Sequence, residues 1–221
     1  MKKIILMFVV IMMTTMSALA QFPNHVREVI KKYEAKMATY NDGTGVELDG
    51  TLKMKVSVLS LKGTMKSYVK DSKYFNILSM NAGGKEILKM EMGFDGEQQW
   101  VYTVSDGSEN SLEITKTKAA KNKLGMESDY DKKYSKAKMK EVGSYYEISF
   151  SGPKKKDIPK KAKIKVDKEN YLLREYSVEQ DLGMFTGTIT ITITKITKGC
   201  SNNWFKLDMN RYKKASVHIT D

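Results

Sequence analysis

Most of the chain after residue 45 alternates apolar and polar side chains with a period of two. In residues 46–58 the apolar side chains are Val46, Leu48, Leu52, Met54, Val56 and Val58. Segments 61–69, 88–94, 146–150, 164–166, 172–178 and 185–193 repeat this alternation. A period of two is typical of strands that bury one face and expose the other.

Two segments depart from this alternation. Residues 24–37 place Val26, Val29, Ile30, Tyr33 and Met37 at helical spacing. Asn24 follows Pro23 and is a candidate N-cap. Residues 116–138 are rich in Lys, Ala and Tyr and are interrupted by Gly125, which predicts one or two short helices.

The strands all have one polar face, which favours an antiparallel sheet over a parallel sheet covered by helices on both sides. Asn81-Ala82-Gly83-Gly84 and Asp95-Gly96 are typical hairpin turns. We therefore predict an α+β, mainly β fold. A single strongly curved antiparallel sheet of about ten strands would form an open, incomplete β-barrel, with helices 24–37 and 116–138 covering its concave face. We expect residues 21–221 to form one domain.

Residues 1–20 have the pattern of a secretory signal peptide. Lys2 and Lys3 precede an apolar run, and Ser17-Ala18-Leu19-Ala20 ends it with small residues. We expect cleavage after Ala20 and a soluble periplasmic product. The single cysteine, Cys200, provides no internal disulfide.

The chain is basic, with a net charge of +12, and its densest lysine run lies within residues 154–161. Export removes the usual nucleic-acid partners, so we expect no nucleic acid and interpret the lysines as solvated strand faces. Attraction to anionic lipid headgroups is a second use of the same charge. No metal-ligand cluster or phosphate-binding loop occurs in the sequence, and the two histidines, His25 and His218, lie near its ends. We predict neither an enzyme nor a cofactor.

Methionine is the more informative residue. Ten of the fifteen methionines follow Ala20. Met54, Met65, Met90 and Met92 occupy apolar strand positions, and flexible Met side chains suit surfaces that accept varied apolar partners. A Met-rich core is the alternative interpretation. Parity also predicts Trp100 and Tyr102 on the face that carries Met90 and Met92.

One motif carries a family resemblance. Asp95, Gly96, Trp100 and Tyr102 form D-G-x-x-x-W-x-Y after an opening helix and a long strand. Weaker matches are Gly63, Val166-Asp167, Tyr171-Leu172-Leu173, Asp181-Leu182-Gly183 and Phe205-Lys206-Leu207. Together they resemble the periplasmic lipoprotein carriers of the LolA and LolB type and the outer-membrane lipoprotein-sorting proteins. The resemblance implies a bent antiparallel sheet with helices over a cavity for acyl chains.

We therefore predict a periplasmic carrier for lipid or lipoprotein acyl chains, which acts in transport to or sorting at the outer membrane. The predicted cavity residues are Met54, Val56, Met65, Leu88, Met90, Met92, Trp100 and Tyr102. Lys116, Lys118 and Lys121 are predicted to lie near an anionic headgroup or a partner. We expect a monomer that meets membrane-bound donor and acceptor proteins. The alternative is a non-catalytic envelope binding or scaffold protein with the same fold and a filled core.

Overall fold

The computed structural model describes residues 22–40, 42–57, 59–117, 130–156, 158–181 and 186–220. These residues contain helix α1 (Asn24–Ala38), the four-residue helix α2 (Tyr130–Lys133) and two 3₁₀ helices, Asn202–Phe205 and Met209–Tyr212. The strands are β1 (Val46–Val56), β2 (Leu59–Lys70), β3 (Lys73–Ala82), β4 (Lys85–Phe94), β5 (Gln98–Ser105), β6 (Ser111–Lys116), β7 (Tyr134–Val142), β8 (Tyr145–Pro153), β9 (Lys161–Asp167), β10 (Leu173–Asp181), β11 (Thr186–Lys198) and β12 (Ser216–Thr220).

The fold is mainly β, and its twelve strands form one open sheet in the order β12-β6-β5-β4-β3-β2-β1-β11-β10-β9-β8-β7. Strands β2 to β6 and β7 to β11 pair as antiparallel hairpins, whereas β12 pairs with β6 in parallel. The prediction of a mainly β fold on one sheet is confirmed, and the predicted number of about ten strands is too low. Strand β3 lacks a simple alternation because both of its faces are buried.

The prediction of one or two short helices within residues 116–138 is confirmed only for Tyr130–Lys133 and is wrong for the two described ends of this range. Residue 116 ends β6, and residues 134–138 belong to β7. Strand β7 lies at one end of the strand order and buries only Tyr134 and Ala137, so its alternation is weak. Its Lys and Ala content favours a helix locally, but pairing with β8 decides the structure. The predicted signal peptide and residues 118–129 lie outside the described residues.

The predicted helix 24–37 is confirmed, although its cap is not. Pro23 is the N-cap, and its carbonyl accepts hydrogen bonds from the amides of Val26 and Arg27. Asn24 is the first helical residue, and its side-chain oxygen accepts a hydrogen bond from the Arg27 guanidinium. The prediction that Asn24 caps the helix is therefore wrong.

The chain divides into two compact units. Among the described residues, the first comprises 22–40, 53–57, 59–60, 130–156, 158–181 and 186–193, and the second comprises 42–52, 61–117 and 194–220. Strands β1, β2 and β11 contribute residues to both units.

The first unit packs α1 beside strands β7 to β11. Val26 and Ile30 on the helix are fully buried, and so are Ile148 and Ile164 on the strands. The Phe150 ring stacks on Tyr130, with 4.2 Å between ring centroids. The polar tips of Tyr33, Tyr134 and Tyr176 lie near the Tyr130 hydroxyl, and burial raises the pKa of all four phenols, which stay neutral.

Candidate functional site

The strand register of the second unit sorts its side chains onto two faces. Trp100 on β5 lies opposite Gly93 on β4, whereas Met92 on β4 lies opposite Val101 on β5. Directly opposed residues project to the same face, and neighbours along a strand project to opposite faces. Trp100 and Met92 therefore lie on different faces, and the prediction that Trp100 and Tyr102 share the face of Met90 and Met92 is wrong. Alternation along one strand does not determine which face a residue on the next strand occupies, because the turn between the two strands sets their register.

We name these two sides of strands β2 to β6 by their side chains. The methionine face carries Met65, Leu78, Met80, Leu88, Met90 and Met92. The aromatic face carries Tyr68, Phe75, Trp100, Tyr102, Leu112 and Ile114. The predicted cavity residues of this unit thus fall into two groups that the sheet separates.

The methionine face is an apolar surface of flexible side chains. Met65, Met90 and Met92 are 3%, 2% and 1% exposed, and Leu88 is half-buried. Met90 lies opposite Leu78, which in turn lies opposite Met65. Thioether side chains rearrange at low cost and contact many apolar shapes. The structure therefore brings together four of the predicted cavity residues on one face.

A buried polar side chain interrupts this apolar surface. Asn76 on β3 lies between Ser67 on β2 and Met92 on β4, and it is 2% exposed. Within the part of the chain that the structure describes, its Nδ2 has no hydrogen-bond partner. A buried amide donor without a partner costs about 1–3 kcal/mol. The methionine face therefore offers a hydrogen bond to an acceptor that enters it.

The aromatic face is covered by the segment that contains the two 3₁₀ helices. Trp204 stacks on Tyr68 with ring centroids 4.2 Å apart, and Tyr212 packs on Tyr102 at 4.8 Å. Phe205 joins the same buried cluster as Trp100. Trp100 is 1% exposed. Side chains of the chain itself thus fill the space beside Trp100.

Gly93 leaves the space in which the indole of Trp100 packs against the sheet. A Cβ at position 93 would lie 2.0 Å from an atom of the Trp100 ring, far inside van der Waals contact. The ring therefore lies across the backbone of β4, where any side chain at position 93 would displace it. This contact, together with Phe75 at 6.3 Å between ring centroids, fixes the indole within the core.

A buried ion pair fastens the covering segment to the aromatic face. Glu91 is 2% exposed, and both of its carboxylate oxygens contact Arg211, at 2.9 Å from Nη2 and 2.8 Å from Nε. Tyr212 donates a hydrogen bond to the same carboxylate at 3.1 Å, and the Lys89 ammonium lies 3.1 Å away. Burial alone would raise the pKa of Glu91, but Arg211 and Lys89 outweigh it, so this pKa is lowered.

Sequence reasoning missed this ion pair. Glu91 sits between Met90 and Met92, and parity predicted it on a solvated face beside Lys89. The Arg211 guanidinium also lies over the Phe75 ring, 5.2 Å from its centroid. A carboxylate between two buried methionines was the available signal for a buried partner.

The remaining predicted residues are placed separately. Met54 and Val56 are half-buried at the end of β1, in the first unit. Lys116 is exposed at the end of β6, and Lys118 and Lys121 lie outside the described residues. Their predicted roles as cavity lining and headgroup contacts stay predictions.

The described residues offer little to catalytic chemistry. They contain no group of three or more His, Cys, Asp or Glu side chains placed to hold a metal ion. Cys200 is half-buried and donates a long hydrogen bond of 3.7 Å to the Val69 carbonyl, and burial raises the pKa of its thiol. A raised pKa reduces the thiolate fraction, which opposes a nucleophilic role.

None of the described helices is long and apolar enough to cross a membrane.

Comparisons with known proteins found similarity among solved structures. No family model matches the sequence, and no curated protein matches it. Among solved structures, an uncharacterized conserved protein from Thermus thermophilus matches with a TM-score of 0.50 and 8% identity, over 89% of this chain and all of the other (100%). At this identity the similarity concerns the fold alone.

Two further solved structures are similar to this chain at lower TM-scores. A LolA superfamily protein from Nitrosomonas europaea matches with a TM-score of 0.37 and 8% identity, over 83% of this chain and 98% of its own. The lipoprotein LppX from Mycobacterium tuberculosis matches with a TM-score of 0.40 and 12% identity, over 79% and 98%.

Proposed function

We propose that this protein is an exported carrier that binds lipid, or the acyl chains of lipoproteins, against the methionine face. The observation that carries the proposal is the composition of that face: flexible thioether side chains share it with one buried amide donor, Asn76, which has no hydrogen-bond partner among the described residues. Acyl chains supply apolar surface for the methionines, and an ester or amide carbonyl supplies an acceptor for Asn76.

Affinity in this proposal comes from shielding acyl chains from water. Each buried CH₂ contributes about 0.8 kcal/mol, so one or two chains are enough for stable binding without further polar contacts. Binding places the chains beside Met65, Met90 and Met92, which adapt their rotamers to different chain lengths. Release in this proposal requires a movable cover, and we infer a helical lid from the family resemblance alone.

The proposed biological setting follows the sequence predictions. The carrier acts as a single domain in the periplasm after removal of residues 1–20. It exchanges its ligand with membrane-bound donor and acceptor proteins and delivers it to the outer membrane.

The proposal is tested by identifying what the folded protein carries. The protein is purified from a bacterial periplasm without detergent, extracted with organic solvent and examined by mass spectrometry. We expect phospholipid or acyl species in a fixed ratio to protein. Protein free of such species that also takes up no added acyl ligand would refute the carrier function and favour an envelope scaffold with a filled core.

A matched pair of variants separates the two faces. Met90→Gln places a polar group on the methionine face and should lower the amount of bound lipid. Tyr102→Gln makes a comparable change on the aromatic face, where the covering segment already occupies the space, and should leave the bound lipid unchanged. Circular dichroism confirms that both variants fold. Loss of lipid only in Tyr102→Gln would contradict the assignment to the methionine face.

A further inference from the structure

The polar side of strands β7 to β11 in the first unit is an ordered array of ammonium and hydroxyl groups. The register places side chains in three cross-strand rows that project to one face. The rows are Lys136-Ser151-Lys161-Glu179-Thr188, Lys138-Ser149-Lys163-Ser177-Thr190 and Lys140-Glu147-Lys165-Glu175-Thr192. We call this surface the lysine face.

Positive charge exceeds negative charge on the lysine face, because the three rows contain six lysines and three glutamates. Two pairs join β9 and β10: Lys161 lies 3.1 Å from Glu179, and Lys165 lies 3.0 Å from Glu175. The middle row contains no carboxylate, only lysines and the hydroxyls of Ser149, Ser177 and Thr190. The surplus is therefore concentrated in that row and on β7.

Two exposed lysines on β7 supply most of this surplus. Lys136 and Lys138 are exposed, and neither has an ion-pair partner among the described residues. These two lysines are two residues apart on the strand, so their ammonium groups point to the same side. Among the described residues no carboxylate neutralises these two ammonium groups, which leaves them available to an anion from solution.

Glu147 holds the neighbouring lysines in place. Its side chain is 9% exposed and lies 3.1 Å from the Lys140 ammonium and 3.6 Å from that of Lys163. Burial alone would raise the pKa of Glu147, but the two ammonium groups outweigh it and lower this pKa. One carboxylate thus organises two lysines and leaves a net positive charge around it.

We propose that the lysine face docks the protein on the anionic surface of a lipid bilayer. Ammonium and hydroxyl groups are donors for headgroup phosphates, and their charge complements an anionic leaflet. Five strands at about 4.8 Å spacing give a surface roughly 19 Å wide, which suits a plane of headgroups better than one small anion. Docking on the membrane does not require that the protein carry lipid, so it stands independently of the proposed function.

The test is flotation with vesicles of phosphatidylcholine mixed with phosphatidylglycerol, compared with vesicles of phosphatidylcholine alone. We expect the full-length mature protein to float with the anionic vesicles only and to be released by high salt, which screens exposed charges. The double variant Lys136→Gln/Lys138→Gln should bind the anionic vesicles roughly 30-fold more weakly, because each lysine near the surface contributes about a factor of five.

The matched control is Lys213→Gln/Lys214→Gln, which removes the same charge from exposed positions of the second unit. Its binding should change by less than about threefold. Equal weakening of the two double variants would show that net charge alone drives binding and would overturn the proposal. So would retention on an anionic polysaccharide column without flotation on vesicles. Circular dichroism and the extracted lipid content verify folding and keep the outcome separate from lipid carriage.

Discussion

Removing the Arg211 guanidinium should destabilise the protein by leaving a buried carboxylate short of its main partner. Arg211 contacts both oxygens of Glu91, which is 2% exposed. Breaking a buried ion pair from one side typically costs about 3–5 kcal/mol. Here the Arg211 side chain is 38% exposed, and Lys89 and Tyr212 still contact Glu91, so we expect about 2 kcal/mol for Arg211→Met.

Urea unfolding followed by tryptophan fluorescence measures this loss directly. The protein has only two tryptophans, and both Trp100 and Trp204 belong to the cluster that Arg211 fastens. Lys85→Met is the control, because it removes an exposed ion pair with Asp106 and should cost less than about 0.5 kcal/mol. The double variant Glu91→Leu/Arg211→Met should be more stable than Arg211→Met, since it buries no unpaired charge.

The same pair predicts a dependence of stability on pH. The pKa of Glu91 is lowered in the folded state from its ordinary value of 4.5. Its contribution is therefore fully present above pH 4.5 and is lost as the pH falls through the lower folded-state pKa. Glu91→Gln should lack this component of acid destabilisation. An Arg211→Met variant as stable as the wild type, or a Glu91→Gln variant with the same acid dependence, would refute the reasoning.

Three further outcomes are expected. Gly93→Ala should cost about 2–4 kcal/mol in urea unfolding, because the new Cβ would overlap the Trp100 ring, and a neutral result would show that the ring moves freely. Asn76→Leu should raise the unfolding free energy of lipid-free protein by about 1–2 kcal/mol, because it removes a buried amide donor without a partner. A lower unfolding free energy would mean that the Asn76 amide has a hydrogen-bond partner. Cys200 should react with a thiol reagent far more slowly in native than in urea-unfolded protein, and equal rates would contradict its burial.

Sequence periodicity predicted the elements that bury one face. Helix 24–37 was predicted almost at its observed bounds. The start of β1 at Val46 and the end of β4 at Phe94 were also predicted correctly. Strand β3 escaped detection because Phe75 and Tyr74 bury opposite faces, so no alternation remains. Edge strand β7 escaped because its lysines dominate its composition.

The site was only partly predictable for a related reason. Residue types and strand parity were enough to select Met65, Met90 and Met92 as neighbours on one face. The placement of Trp100 depended on the register across the turn at Asp95-Gly96, which no local pattern encodes. The cover of the aromatic face depended on Phe205 and Tyr212, which lie far from it in sequence and show no strand or helix period.

Photocrosslinking with a fatty acid that carries a diazirine in its acyl chain tests the central claim most directly. The probe is loaded onto the folded mature protein, irradiated, and the modified residues are identified by peptide mass spectrometry. We expect modification at Met65, Met90 and Met92 and its loss on competition with unlabelled phospholipid. Modification confined to the aromatic face or to surface lysines, or no competable modification at all, would contradict lipid binding on the methionine face.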